Sequence, residues 1–261
     1  MAIIVSVVAM GGLFHRNLHG DRVAPGLPLH AVVHEVIDGD TVIIEGGQKV
    51  RYLGINAPEV RVWDGAQWCV KPQIQGPEAT AYNQRLVGGK ELRLEYDQNP
   101  KDKFDRLLAY VWVGDCFVNG DLVLKGLALM DVRAPNLVYQ KRLAALQAEA
   151  RNSGRGIWRA MPGNTVSAED AHGFVGMLAA VEGRILRTHL GEKKLHLNFG
   201  ENVENDFTVI IYKENLSSFP LGRKDPAAYF LNKRVKVYGF IRELDGPAVV
   251  VCAPSQIDFL D

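Results

Sequence analysis

The run IDGDTVIIEGGQKVRYLGINAPE (residues 37–59) decides how this chain reads. Apolar and polar residues alternate through it in two segments that meet at Gly46-Gly47. A period of two marks a half-buried strand, and paired glycines supply the positive backbone angles of a tight hairpin. Upstream, residues 31–36 carry the same alternation. Downstream, ELRLEYD (residues 91–97) and LLAYVWVGDCFV (residues 107–118) continue it, with Gly114-Asp115 as a turn.

Helical patterns are interleaved. GPEATAYNQRLV (residues 76–87) has Pro77 in its first turn, Glu78 at the positive end of the dipole and Gly88-Gly89 as a stop. NGDLVLKGLALM (residues 119–130) reads as a shorter helix. In residues 136–154, Leu143, Leu146 and Ala150 recur at helical spacing, and Gly154 is placed as a C-cap. A mainly β fold with helices, in which a five-strand OB-type barrel is closed by helices, fits this order. Residues 1–30 read as an apolar segment and linker, and residues 31–160 as the barrel domain. Residues 161–173, rich in Gly and polar side chains, read as a linker. Residues 174–261 give three strand patterns, an irregular crossover and two more strands. That order predicts a second, smaller OB-like β-barrel.

Lys plus Arg number 30 and Asp plus Glu 30, a net charge of +0. A protein that coats nucleic acid is usually basic overall, so the balance argues against a tight nonspecific binder. An enzyme needs positive charge only around one phosphate. Cys69, Cys116 and Cys252 are far apart and form no CxxC pair, which excludes a clustered zinc site and a dense disulfide framework. The uncharged run MAIIVSVVAMGGLF (residues 1–14) is shorter than the ~20 residues that span a bilayer. It suggests a secreted, periplasmic or membrane-anchored protein, with a buried strand as the alternative.

Asp38 and Asp40, Arg51, Glu59 and Arg106 arrive in that order on short strand patterns. Hard carboxylate oxygens suit Ca²⁺ or Mg²⁺, a carboxylate can deprotonate water, and guanidiniums grip phosphate oxygens in bidentate fashion. The set is suited to attack on a phosphodiester. Alone, Asp38-Gly39-Asp40 also reads as a plain turn, and Arg51 with Glu59 as a surface ion pair. Trp63 and Trp68, in a long loop after Glu59, and Tyr139 are candidate stacking surfaces for bases, although most aromatics serve a core. Arg234, Lys236 and Arg242 with Tyr238 and Phe240 could bind single strands or merely protect sheet edges.

Taken together, DGDTV, the arginine entering the second strand, APE, GPEA, DKF-x-R followed by LAYV, and the closing Gly-Ile-Trp (residues 156–158) resemble the staphylococcal nuclease family. The resemblance covers residues 31–158, about half the chain. It implies a Ca²⁺-dependent nuclease, with Mg²⁺ as an alternative, cutting DNA and RNA, single strands preferred, to leave 3′-phosphates. Asp40, Asn56 and the carbonyl of Ala57 fall at the metal-binding positions. Arg51 and Arg106 fall at the phosphate-binding positions, and Glu59 at that of the residue activating water. The chain departs from the pattern at Asn56, where the family has aspartate, and at Asp105, where it has glycine. Loss of one carboxylate should weaken calcium binding. The alternative function is a non-catalytic nucleic-acid or partner-binding module on the same barrel.

Overall fold

A computed structural model describes residues 26–63, 67–163, 165–202 and 205–261. Strands β1 (His30–Val36), β2 (Thr41–Ile44) and β3 (Lys49–Tyr52) form a meander turning at Gly46-Gly47, where both glycines have positive φ. A short β4 (Gly54–Asn56) follows, then a hairpin of β5 (Arg61–Trp63) and β6 (Trp68–Val70). Helix α1 (Gly76–Val87) leads to β7 (Glu91–Glu95), β8 (Leu107–Val113) and β9 (Cys116–Phe117). The sheet runs β3-β2-β1-β7-β8-β9, and parallel pairing of β3 with β8 closes a five-strand OB-like barrel. Its interior is filled by Val42, Val50, Tyr52, Leu92, Leu107 and Val111, all at most 1% exposed. Every strand thus has a buried face, which fixes its register.

Helix α2 (Val118–Leu124) is shorter than its sequence pattern. Gly126, at φ 68, ends it, and the apolar residues beyond form β10 (Leu129–Asp131), which pairs with β4. Helix α3 (Gln140–Asn152) packs on α2.

The second half forms no second barrel, which corrects the expectation from its strand order. Strands β11 (Thr165–Ser167), β12 (Leu178–Arg184), β13 (Arg187–Leu190), β14 (Lys194–Asn198), β15 (Thr208–Tyr212), β16 (Arg234–Glu243), β17 (Pro247–Val250) and β18 (Ile257–Phe259) make one open sheet. Its order is β11-β12-β16-β17-β15-β14-β13, with β18 beside β16, and β11 and β13 do not meet. The physical reason lies in its two faces. Val209, Ile211, Val249 and Val251 pack in the sheet's own core, while Ile210, Ala248 and Val250 pack into the core of the barrel. A small closed barrel would leave its outer face to solvent, whereas this sheet uses both faces. Residues 161–173, read as a linker, contain β11 and the fully buried Met161, which shares a core with Trp158, Leu178 and Tyr238.

The expected membrane anchor is not borne out. Among the described residues no helix is long and apolar enough to cross a membrane. The apolar run at residues 1–14 lies outside the described residues.

Candidate active site

The barrel register creates the centre of the site. Thr41 and Arg51 face each other across β2 and β3, and the Tyr52 N–H donates to the Asp40 carbonyl at 2.9 Å. Gly39 is packed so closely that a Cβ there would stand 2.6 Å from the Ala57 Cβ and 2.8 Å from that of Ala79. The acidic turn is thereby pressed against the APE loop and α1. The Asp38 carboxylate caps the Asp40 N–H at 2.9 Å, giving Asp38 a turn-shaping task.

Asp40 is 4% exposed, and three donors converge on its carboxylate. The Ala57 N–H approaches to 2.6 Å, the Arg51 guanidinium to 2.8 Å and the Thr41 hydroxyl to 3.1 Å. Burial is the largest influence on this carboxyl and pushes its pKa upward; the Arg51 guanidinium pulls it back down, and neighbouring Asp38 adds to the rise. A carboxyl in that position stays ionised only with a cation at hand. Arg51 also donates to the Asn56 side-chain carbonyl at 2.7 Å, so one guanidinium bridges the Asp40 and Asn56 oxygens.

Glu59 stands at the solvent-exposed rim. Partial desolvation and the Asp38 charge raise its pKa to about 7, against the pull of Arg51 and Arg106. Both guanidiniums therefore act on the same carboxylate. Arg106 is held at Nε by Asp102 at 2.7 Å, and among the described residues its Nη groups make no further hydrogen bond. Burial pushes the Asp102 carboxyl upward, but bonds from the Arg106 side chain and the Phe104 and Arg106 N–H groups outweigh it and hold the pKa below the usual value. The Asp105 carboxylate is turned to Lys101, at 2.7 Å, while Arg106 pairs with Asp102. The Asp105 backbone is left-handed, at φ 62.

The other candidates lie elsewhere. Trp63 and Trp68 are paired in register in the β5–β6 hairpin, but their side chains lie outside the described part of the structure. The Tyr139 ring is packed edge-on to Tyr110 and beside Phe117, and its hydroxyl donates to Glu95 at 2.6 Å. The basic set of the second half is engaged in ion pairs: Arg234 and Lys236 with Glu182, and Arg242 with Asp131. Two buried amides were not singled out from the sequence. Asn83 on α1 accepts from the Tyr52 hydroxyl at 3.0 Å and donates to the Asp38 carbonyl at 2.9 Å. Gln73 accepts from the Glu59 N–H at 2.9 Å. Their contacts span 31 residues or more for Asn83 with Tyr52, and 14 for Gln73 with Glu59, beyond any local pattern.

With this geometry in view, the matches to known proteins are specific. The pattern of staphylococcal nuclease homologues matches residues 49–160, a span containing Arg51, Asn56, Glu59 and Arg106. The thermonuclease of Staphylococcus intermedius is 39% identical over 134 residues, 49% of this chain and 74% of that protein.

This chain belongs to the staphylococcal nuclease family.

Its match to the Staphylococcus hyicus thermonuclease, 37% over 133 residues, covers 48% of the chain and 73% of that relative. Endonuclease YncB of Bacillus subtilis (strain 168) is 36% identical over 135 residues, 50% of the chain and 62% of that protein. Family membership places the protein among hydrolases of the nuclease type.

The family implies a cation, and the donor chemistry can be compared with it. The Asp40 carboxylate and the Asn56 carbonyl both accept from the Arg51 guanidinium, through different nitrogens. Both are hard oxygens, which fits Ca²⁺ or Mg²⁺. They carry a single negative charge, and among the described residues no cluster of three or more His, Cys, Asp or Glu could hold a metal. Oxygens of this kind suit such a cation, while in the structure the Arg51 guanidinium satisfies them.

Asn83→Leu should strip partners from the Tyr52 hydroxyl and the Asp38 carbonyl. Leaving buried polar groups unsatisfied costs about 1–3 kcal/mol each. Urea denaturation should show a loss of that size, and an unchanged midpoint would mean that Asn83 does not hold the turn.

Proposed function

We propose that the chain is a phosphodiesterase that hydrolyses DNA and RNA, single strands preferred, through an activated water. The observation that carries this reading is the Arg51 guanidinium held at 2.8 Å on the buried Asp40 carboxylate, with Glu59 within electrostatic reach of both Arg51 and Arg106. Glu59, with a pKa raised to about 7, can take a proton from water near neutral pH. The water oxygen then forms its bond to phosphorus as the ester oxygen departs. Arg51 and the free Nη groups of Arg106 neutralise the equatorial oxygens while charge builds on the phosphorane. Asp102 keeps Arg106 oriented for this without taking up its Nη groups.

Asp40, Asn56 and the Ala57 carbonyl would hold the cation, which supplies Lewis-acid charge stabilisation at the phosphate when bound. Arg51 would have to release these oxygens to reach substrate. A second reading, a barrel that binds nucleic acid without cutting it, draws support from the commitment of Arg51 to Asp40 and Asn56.

The two readings separate on a single-stranded DNA oligonucleotide assayed with Ca²⁺, with Mg²⁺ and with chelator. Metal-dependent cutting should fall by about 10²–10³ in Arg51→Ala, the usual loss for one transition-state donor, and at least as far in Glu59→Gln. Full activity in both folded variants would sink the enzyme assignment. Binding without cutting under every metal would favour the second reading.

Asn56→Asp should restore a second negative oxygen to the cation position. Half-maximal activity should then come at a lower calcium concentration, and calorimetry should show tighter Ca²⁺ binding. An identical calcium dependence would remove Asn56 from the cation site.

A further inference from the structure

Glu59 is fixed from outside its own loop. Its N–H donates to the Gln73 side-chain carbonyl at 2.9 Å, and its carbonyl accepts from the Gln73 N–H at 2.8 Å. Gln73 thus grips both backbone groups of one residue. It also closes the base of the β5–β6 hairpin, where the Lys71 N–H meets the Val60 carbonyl at 3.1 Å. Gly76 presses on the same place, since a Cβ there would stand 2.6 Å from the Glu59 carbonyl oxygen.

The remaining donor of Gln73 crosses to the second half. Its Nε2 donates to the carbonyl of Gly176. Gly176 in turn donates to the Ile241 carbonyl at 2.7 Å, and Ile241 donates to Met177 at 2.9 Å. Ile241 lies on β16, the long strand shared by both parts of the second sheet. Gln73 is only 4% exposed, so its side-chain amide has no water to fall back on. The same strand reaches the other flank of the site. Arg242 pairs at 2.8 Å with Asp131 on β10, the strand whose Leu129 faces Asn56 of β4.

We propose that Gln73 is a positioning residue that sets Glu59 for reaction and ties it to the second sheet, making that sheet a structural part of the active site. The proposal rests on the reading of Glu59 as the base. Gln73 acts through Glu59 and touches no reacting atom. A solvent-rim carboxylate on a free hairpin would sample many orientations, and a displacement near 1 Å can lower turnover by about 10²-fold. Anchoring both backbone groups of Glu59 to a buried amide, itself anchored in a second sheet, removes that freedom.

The test uses the full chain with Gln73→Leu and Gln73→Glu. Leucine removes both side-chain bonds. Glutamate keeps size and an acceptor for the Glu59 N–H but sets a carboxylate oxygen against the Gly176 carbonyl. On single-stranded DNA with Ca²⁺, kcat per folded molecule should drop by about 10–100-fold in the leucine variant and less in the glutamate variant. KM should stay within about twofold, because ground-state binding is not touched. Amide exchange at Glu59 should quicken most in the leucine variant, which lacks the acceptor, and less in the glutamate variant, which keeps it but loses the tie to Gly176. Wild-type kcat in either folded variant overturns the proposal. Should the leucine variant fail to fold, the glutamate variant decides alone. A wild-type protein that cuts nothing overturns the assignment of Glu59 instead, and unchanged Glu59 exchange in the variants would then overturn the clamp.

Discussion

The ion pair between Asp40 and Arg51, at 2.8 Å with side chains 5% and 14% exposed, is the constraint around which the site is arranged. Burying two charges costs several kcal/mol per ion, and the attraction recovers that only when every polar partner is in place. Here the partners are supplied by the backbone of Ala57, the hydroxyl of Thr41 and the amide of Asn56. Thr41 stands on β2, while Asn56 ends β4 and Ala57 follows it directly. The register of β2 on β3, the close packing of Gly39 on Ala57 and the pairing of β4 with β10 all serve to bring these groups to one point. Such a pair is a poor device for stability. It is a good device for keeping a guanidinium and a carboxylate poised in a dry place, where their field is strong.

Much of this was legible in the sequence because it is local. The alternation in residues 37–59 and the glycine pair give the meander, and Pro77, Glu78 and Gly88 bound α1 at the positions the structure shows. Asp40, Arg51 and Glu59 lie in that same run, while Arg106 immediately precedes β8. Residues 129 and 130 read as helix because they continue an apolar pattern, yet Gly126 stops the helix and β4 captures them as a strand partner. Gln73 and Asn83 escaped notice for a different reason. A buried amide matters through partners far along the chain, and nothing in its neighbours announces them.

The second half shows how one pattern can serve two architectures. FTVII and PAVVV are unbroken apolar runs, and such runs belong to strands covered on both faces. An OB-like barrel would call for stricter alternation. Strands β15 and β17 are indeed covered twice, by their own core and by the barrel. The second sheet is consequently a buttress. Its Arg234, Lys236 and Arg242 are spent on Glu182 and Asp131, and Trp158 and Met161, where the matched region ends, are buried with Leu178 and Tyr238 of its strands.

The most direct test of this account is a double-mutant cycle on Asp40→Asn and Arg51→Met, read by chemical denaturation. Breaking one side of a buried pair leaves the other charge without compensation, at a cost of about 3–5 kcal/mol. Each single variant should therefore be strongly destabilised, and the double variant should lose less than the sum by about 1–3 kcal/mol. Additive losses would contradict the account, because they would mean that Arg51 and Asp40 do not hold each other and that the site is organised around something else.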